Sequence, residues 1–343
     1  MPAFAARLSA WQAAHGRHDL PWQRTRDPYR IWLSEIMLQQ TQVATVIPYY
    51  ERFLAAFPDV RALAAAPEDR VLERWSGLGY YRRAHHLHAA AKAIVATHRG
   101  KFPRDVDALA ALPGIGRTTA AAIAVFAFGA REAILDGNVK RVLARHRGIE
   151  GFPGTPKVER EMWRVAEALL PKDDVDIYTQ ALMDLGATVC TRTSPRCGDC
   201  PVARDCVARV EDRIASLPSP RPRKALPQRA VCALLIERAG TILFEKRAAV
   251  GIWGGLWSLP ETPVDADVVA HCRARFAAHV AVGDALAPIE HGFTHFRLTI
   301  VPQRVVVRSW PHRAESPGFL WLTRDDALAA ALPAPIRSLV RSL

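Results

Sequence analysis

The stretch Leu112-Pro-Gly-Ile-Gly-Arg-Thr-Thr-Ala120 decides the fold of the first half of this chain. It lies between two segments of helical character, residues 106–111 and 118–128. Gly114 and Gly116 permit a tight turn, which leads into a helix whose first backbone N–H groups have no partner within the helix. Such N–H groups attract anions, and glycine leaves room beside the backbone, so the stretch predicts a hairpin between helices that holds a phosphate. An ordinary helix–turn–helix corner is the alternative.

Helical character extends outward from this stretch over residues 1 to about 215. Asp27-Pro28 begins one helix, because Asp caps it and Pro suits its first position. Gly and Pro punctuate nearly every later junction, and no run alternates as a strand does. The further predicted helices are 47–57, 67–75, 82–98, 106–111, 118–128, 139–147, 156–170 and 177–185. The first half is therefore predicted to be an all-α domain over residues 1–215.

The character of the chain changes at residues 216–228, where four prolines and three cations stand without an acid. Such a segment is extended, so we interpret it as a linker. Beyond it the pattern predicts strands at 231–237 and 242–246, a helix at 268–279, a strand pair at 293–307, a short strand at 319–322 and two closing helices. Residues 229–343 are thus predicted to form a smaller α+β domain.

Length and composition agree with two globular domains. The chain has 343 residues, half of them hydrophobic, which excludes disorder as the dominant state. Its net charge of +12 favours a polyanion as partner, either nucleic acid or an anionic membrane, although a basic solvated surface gives the same sum. The longest apolar stretch, 120–130, is too short for a bilayer span, and no leader pattern is present, so we expect a cytosolic protein that keeps its thiols reduced.

Four cysteines, Cys190, Cys197, Cys200 and Cys206, stand within seventeen residues. Zinc sites usually take two Cys-x2-Cys pairs separated by a dozen or more residues, and only one such pair exists here. A 4Fe–4S cluster, which four thiolates of one compact loop can ligate, fits better; zinc or unligated thiols are the alternatives. Cys232 and Cys272 have apolar neighbours and are predicted to be core residues.

Two carboxylates are candidates for acid–base chemistry. Glu35 stands among apolar residues on a predicted helix, so its pKa is expected to rise if the side chain is buried. Asp136 precedes a helix and is either its cap or, if Asn138 caps the helix instead, a carboxylate facing a cleft. The alternative for Glu35 is a position on a solvent-exposed face of its helix. Hydrolysis of a glycosidic bond needs such a pair, an acid for the leaving group and a carboxylate near the sugar.

The cysteine spacing and the Leu-Pro-Gly-Ile-Gly-x-x-Thr-Ala string resemble the endonuclease III superfamily of DNA glycosylases, with its helix-hairpin-helix (here about 108–128) and iron–sulfur loop (here 190–206). Further strings resemble the adenine glycosylase (MutY) family: Trp32-Leu-Ser-Glu-Ile-Met-Leu-Gln-Gln-Thr-Gln-Val43, Gly77-Leu-Gly-Tyr-Tyr81 and Leu135-Asp-Gly-Asn-Val-Lys-Arg-Val-Leu143. The likeness covers the chain from about Leu20 to Cys206.

This resemblance implies a catalytic set and a base pocket. Glu35 protonates adenine at N7 and later helps to activate water, Asp136 stabilises the sugar cation, and Asn138 orders the site. Gln40 is inserted into the base stack. The residues implied around the base opposite are Thr41, Leu78 and Tyr80, and those implied around the flipped adenine are Leu20, Trp22, Leu38, Val43 and Gln180. Ordinary core packing is the alternative for Trp22, Tyr80 and the aliphatic members.

Residue 118 separates two activities of the superfamily. Enzymes that also cut the backbone form a Schiff base through a lysine amine. The sequence has Thr118 at this position, and the adjacent Arg117 stays protonated and is a poor nucleophile. The sequence therefore predicts removal of adenine without strand cleavage. An endonuclease III-like glycosylase and lyase is the alternative.

The second domain resembles the Nudix fold at Ile252-Trp-Gly-Gly-Leu-Trp-Ser-Leu-Pro-Glu261. Residues 262–280 contain no Glu, so the metal-binding carboxylates of Nudix hydrolases are missing there. In the resembled family such a domain recognises 8-oxoguanine, and Phe293-Thr294-His295-Phe296 resembles its recognition loop, with Thr294 where many members have Ser. A plain turn between strands is the alternative.

The sequence thus predicts a monomeric repair glycosylase acting on double-stranded DNA with 8-oxoguanine:adenine or guanine:adenine mispairs, cytoplasmic and nucleoid-associated in a bacterial-type cell. A non-catalytic lesion-binding protein and a redox protein that uses the cluster are rivals from other classes. The predicted phosphate-facing cations are Lys140, Arg141, Arg192, Arg196, Arg204, Arg221, Arg223 and Lys224.

Overall fold

The computed structural model describes residues 3–222, 225–311 and 318–343. Two linker cations predicted to face phosphate, Arg223 and Lys224, lie outside these residues. The chain divides into two compact units. The helical unit comprises Met1–Ala65 and His86–Arg223, and the sheet unit comprises Ala66–His85 and Lys224–Leu343. No helix within the described ranges is long and apolar enough to cross a membrane.

The helices follow the predicted order closely. They are α1 (Phe4–His15), α2 (Pro28–Leu38), α3 (Val43–Ala56), α4 (Val60–Ala65), α5 (Glu68–Trp75), α6 (Arg82–His98), α7 (Val106–Ala110), α8 (Arg117–Phe128), α9 (Gly137–Arg147), α10 (Pro156–Ala168), α11 (Val175–Asp184), α12 (Val207–Val210), α13 (Val268–Phe276), α14 (Arg324–Ala329) and α15 (Ala334–Ser342). Short 3-10 helices cover Pro21–Arg24, Cys197–Asp199 and Ala203–Asp205, and a π-helical turn covers Leu185–Val189.

The core of the helical unit forms where α1, α8, α9, α10 and α11 bury their apolar faces. α8 is nearly apolar all round, which suits a central helix; its residues from Thr119 to Val125 are buried. α9 contributes Val139, Val142 and Leu143 to the same core. This packing fixes the start of α9, and with it Asp136, beside α2 and α11.

The predicted hairpin is confirmed as the connection between α7 and α8. Gly114 has φ of 75°, a left-handed conformation that favours glycine, and a Cβ there would lie 2.6 Å from the Cβ of His86. Gly116 is the N-cap of α8 and provides no side-chain cap. The first N–H groups of α8 are therefore left without a side-chain acceptor.

The sheet unit contains a mixed sheet with the strand order β3-β2-β1-β7-β5. The strands are β1 (Gln228–Arg238), β2 (Thr241–Lys246), β3 (Trp257–Ser258), β4 (Glu261–Thr262), β5 (His279–Ala285), β6 (Ile289–Gly292), β7 (Arg297–Ser309) and β8 (Phe319–Leu322). β1 and β7 pair in parallel at its centre, and β1 and β2 form the predicted antiparallel hairpin.

Three details of the sheet unit differ from the sequence prediction. The helix predicted at 268–279 ends at Phe276, because Ala277 adopts a left-handed conformation and β5 begins two residues later. β5 itself was not predicted, since its second half is mostly exposed and shows no apolar alternation. The strand pair predicted at 293–307 is formed by β6 and β7, so residues 293–296 are the turn between strands.

The segment Ala66–His85 belongs with the sheet unit, which its sequence does not indicate. Tyr81 donates a hydrogen bond of 3.3 Å to the carbonyl of Leu332. The imidazole Nε2 of His85 lies 2.9 Å from the carbonyl oxygen of Gly254, and Lys246 forms an ion pair of 2.5 Å with Asp69. Contacts between residues far apart in the sequence, such as these, produce no local sequence pattern, so the sequence could not predict them.

Candidate active site and cysteine loop

A cavity of about 730 Å³ lies in the helical unit. Nine of the residues implied by the sequence line it together: Leu20, Trp22, Glu35, Leu38, Thr41, Val43, Asp136, Asn138 and Gln180. They come from the segment before α2, from α2 itself, from the start of α3, from the start of α9 and from α11. A volume of this size is typical of small-molecule pockets and accommodates a nucleobase.

Glu35 lies in the middle of α2, on a helix that is otherwise buried on most sides. Its neighbours Ile31 and Ile36 are each 3% exposed, and Trp32 is fully buried. Burial, with a further contribution from the charge of Asp136, raises the pKa of Glu35 to about 8. The carboxyl group therefore keeps its proton near neutral pH and is able to donate it.

Asp136 combines two positions that the sequence offered as alternatives, a helix cap and a residue facing a cleft. It is the N-cap of α9, where its Oδ1 accepts a hydrogen bond of 2.7 Å from the N–H of Val139. The expectation that Asn138 could serve equally well as the cap is wrong, yet Asp136 still lines the cavity. Burial raises its pKa, while the N–H groups of Val139 and Asn138 and the charges of Arg141 and Lys140 oppose that rise.

Asn138 is held by Arg141, a contact that the sequence did not reveal. Arg141 Nη2 donates to Asn138 Oδ1 at 2.8 Å and to the carbonyl of Gly186 at 2.6 Å, and Arg141 Nε donates to the carbonyl of Cys190 at 2.7 Å. Gly186 permits this approach, because a Cβ there would lie 2.6 Å from the Cβ of Asn138. One guanidinium thus links the active site to the first cysteine of the loop.

This arrangement corrects the expectation that Lys140 and Arg141 face phosphate. Arg141 turns inward, and burial lowers its pKa. Lys140 forms an ion pair of 2.6 Å with Glu159. Arg192, Arg196 and Arg204, by contrast, are exposed on the cysteine loop.

Other implied residues lie outside the lining of this cavity. Gln40 is exposed, with φ of 56°, between α2 and α3. Thr118 stands in the first turn of α8. Leu78 and Tyr80 belong to the sheet unit, where Leu78 is buried and Tyr80 is 49% exposed.

The four predicted ligands Cys190, Cys197, Cys200 and Cys206 all line one cavity and form no disulfide. In the described part of the chain, no group of three or more His, Cys, Asp or Glu side chains is arranged as a metal site. The donor set nevertheless fits a cluster, because four thiols that could ligate iron open onto one space. Cys232 and Cys272 are buried in the core of the sheet unit, as predicted.

Arg145 ties the cysteine loop to α9 and is 4% exposed. Its guanidinium donates to the carbonyls of Thr191 at 2.7 Å, Arg192 at 3.1 Å and Leu217 at 2.9 Å, and it lies 3.5 Å from the sulfur of Cys190. In the structure, α9 is buried continuously from Val142 to His146. Nothing in the sequence distinguishes Arg145 from an exposed arginine on a helix, so its contacts could not be predicted.

A second anchor of the loop is Asp205, which accepts two hydrogen bonds from Arg7 of α1, at 2.8 and 2.6 Å. Its pKa is lowered to about 2, chiefly by the hydrogen bond from Arg7. The loop is therefore fixed to two helices of the unit through charged side chains.

In the sheet unit, the turn between β6 and β7 presents Thr294 and His295 to solvent. Phe293 and Phe296 stack beneath it with ring centroids 4.5 Å apart, and Phe296 is 1% exposed. Trp253 packs against Phe293 at 5.4 Å. An aromatic base thus supports two exposed polar side chains.

The carboxylates of the Nudix-like region are paired with arginines. Glu261 forms an ion pair of 2.5 Å with Arg247, and Glu245 forms one of 2.5 Å with Arg275 of α13.

Residues 33–168 match the HhH-GPD superfamily of base excision DNA repair proteins, and residues 231–342 match the NUDIX domain. The structure of a thermostable thymine-DNA glycosylase is similar over 61% of this chain and 95% of that one, with a TM-score of 0.54 and 28% identity. A non-covalent endonuclease III–DNA complex shares the fold, with a TM-score of 0.52 and 22% identity over 61% of this chain and 94% of that one. The helical half is thus a helix-hairpin-helix repair glycosylase fold.

Relatives that align over nearly the whole of this chain narrow this class. The adenine DNA glycosylase of Buchnera aphidicola subsp. Acyrthosiphon pisum is 32% identical over 99% of this chain and 97% of the relative. The adenine DNA glycosylase of Homo sapiens is 32% identical over 99% of this chain and 73% of the relative. The chain therefore belongs to the adenine DNA glycosylase family, whose members are enzymes acting on N-glycosyl bonds.

Proposed function

We propose that this enzyme hydrolyses the N-glycosidic bond of adenine mispaired with 8-oxoguanine, or with guanine, in double-stranded DNA, and leaves the backbone intact. The observation that carries the proposal is the pair Glu35 and Asp136 in one cavity. Their environments separate their roles, since two titratable groups with different surroundings take the acid and base assignments.

In this mechanism Glu35 is the acid. Its pKa, raised to about 8, keeps it mostly protonated near neutral pH, and it donates that proton to N7 of the extruded adenine. Asp136 is the ionised partner: burial raises its pKa, but backbone N–H groups and two cations oppose that rise, and its charge helps to raise the pKa of Glu35. Its carboxylate then stabilises the positive sugar left by the departing base, and Glu35, now ionised, accepts a proton from the attacking water.

The groups that bind DNA in this proposal contact its phosphate backbone, so they do not distinguish one base sequence from another. The uncapped N-terminus of α8 offers backbone N–H groups to a phosphate, and the exposed arginines of the cysteine loop offer charge. Gln40 is inserted into the base stack, with Thr41, Leu78 and Tyr80 near the base opposite. Thr294 and His295 recognise 8-oxoguanine. The enzyme acts as a monomer in the cytoplasm, in association with the nucleoid.

Cys190, Cys197, Cys200 and Cys206 hold a 4Fe–4S cluster in this proposal. The cluster has a structural function, holding the loop so that Arg192, Arg196 and Arg204 face the DNA backbone. Because Arg141 and Arg145 attach this loop to α9, the loop and the catalytic Asp136 are parts of one rigid arrangement.

The test measures base release and strand nicking separately, under single turnover, on a duplex with one 8-oxoguanine:adenine pair. We expect adenine release without nicking until alkali is added. Unaided nicking at the rate of release would favour the lyase, although the hydroxyl of Thr118 cannot form a Schiff base. Tight binding without any release would favour a lesion-binding protein and contradict the proposal.

A further inference from the structure

Gln180 of α11 lines the base cavity, and its amide is held by a buried ion pair. Gln180 Nε2 donates a hydrogen bond of 2.8 Å to Oδ1 of Asp184, one turn further along the helix. The side chain of Asp184 is fully buried. Arg17 donates to the carboxylate of Asp184 from Nη2 at 2.6 Å, from Nε at 2.7 Å and from its backbone N–H at 2.9 Å.

The chemistry of Asp184 fixes which way the amide points. A carboxylate paired with a guanidinium only accepts hydrogen bonds, so Gln180 must turn its NH₂ group toward it. The flipped amide would set its oxygen against the carboxylate oxygen of Asp184, and both atoms only accept hydrogen bonds. The amide oxygen and one remaining N–H are therefore the groups that Gln180 has left for the cavity.

Arg17 is also hydrogen-bonded to the segment before α2 that lines the cavity. Its carbonyl accepts a hydrogen bond of 2.9 Å from Gln23 Nε2, and Gln23 Oε1 accepts one of 3.2 Å from the N–H of Leu20. Both Leu20 and Gln23 line the cavity with Gln180. One hydrogen-bond network thus joins Gln180 to the segment of Leu20 and Gln23. This network restrains the amide of Gln180, so the amide does not turn to suit a base with a different arrangement of donors and acceptors.

We propose that Asp184 and Arg17 are positioning residues that fix the amide of Gln180 and thereby select a purine with a 6-amino group. Adenine presents an amino donor beside a ring-nitrogen acceptor, which complements an amide oxygen beside an N–H. Hypoxanthine presents a carbonyl acceptor at position 6, which meets the amide oxygen. This inference rests on the proposed function and adds to it the origin of base selection.

The experiment compares release of adenine, hypoxanthine and unsubstituted purine, each opposite 8-oxoguanine, by the full chain under single turnover. In Asp184→Asn the amide of Gln180 is free to flip, so the adenine-to-hypoxanthine rate ratio should fall by about tenfold or more. Release of unsubstituted purine, which has nothing at position 6 to read, should stay near the wild-type rate.

Arg17→Lys is the matched control. It keeps a cation beside Asp184, so Asp184 remains an acceptor and the ratio should be preserved. Should Asp184→Asn not fold because Arg17 is left unpaired, the double variant Arg17→Gln/Asp184→Asn removes both charges and should lose the same selectivity.

The outcomes separate this inference from the proposed function. A wild-type protein that releases no adenine contradicts the function itself. A wild-type protein that releases adenine, together with a folded Asp184→Asn or double variant that keeps the wild-type ratio, overturns the inference alone. Equal losses on all three bases also overturn it, because they indicate a structural role without base selection.

Discussion

Glu35 and Asp136 line the same cavity, and the charge of Asp136 adds to burial in raising the pKa of Glu35 to about 8. Burial, with the nearby charge of Asp136, thereby keeps the carboxyl group of Glu35 protonated near neutral pH. In the proposed mechanism, this relationship sets both the direction of proton transfer and the pH range in which the enzyme is expected to work.

The rate of adenine release is expected to fall as pH rises through about 8, because Glu35 then loses the proton that it must donate. Glu35→Gln cannot donate that proton and should lower the rate by about a hundredfold or more. Single-turnover release measured from pH 6 to pH 9 checks the first statement, and affinity for the uncleaved duplex serves as the control. A rate that increases steadily through pH 8 would assign the acid to another group.

Glu35→Gln is also expected to stabilise the protein, and the gain in stability should increase as pH rises. Below about pH 4.5 Glu35 is protonated in both the folded and the unfolded chain, so it adds no pH dependence. Between about 4.5 and 8 only the unfolded chain ionises, and the folded state loses relative stability. Thermal unfolding should therefore show Glu35→Gln gaining over wild type at pH 8 and much less at pH 5. An equal gain at both pH values would contradict the burial of this charge.

Removing Arg145 is expected to loosen the cysteine loop. Arg145→Met leaves the carbonyls of Thr191, Arg192 and Leu217 without their donor, and an unsatisfied buried carbonyl such as that of Leu217 costs about 1–3 kcal/mol. We expect a lower Tm and faster loss of iron from the proposed cluster to a chelator. Arg204→Met, at an exposed position of the same loop, is the control and should change neither quantity. Equal behaviour of the two variants would show that Arg145 does not hold the loop.

Local patterns predicted the elements of the site better than its connections. The glycine turn before α8 and the four cysteines of the loop could be read because their chemistry depends on residues close in sequence. The buried contacts of Arg145 could not, since an arginine on a helix is usually solvated and only the packing of the loop against α9 reveals otherwise. The long-range contacts that include Ala66–His85 in the sheet unit have no sequence periodicity either.

The two glycines of the hairpin are expected to respond differently to alanine, and this difference tests the phosphate site. Gly114→Ala places a methyl group 2.6 Å from the Cβ of His86 at a left-handed φ, so it should lower the free energy of unfolding by about 1–3 kcal/mol. At Gly116 a Cβ meets no protein atom within 4 Å, so Gly116→Ala should keep its stability. Its methyl group nonetheless stands at the N-cap of α8, where a phosphate approaches the backbone. Duplex affinity at fixed salt should therefore fall for Gly116→Ala at unchanged Tm, and an affinity equal to that of the wild type would remove this turn from the DNA interface.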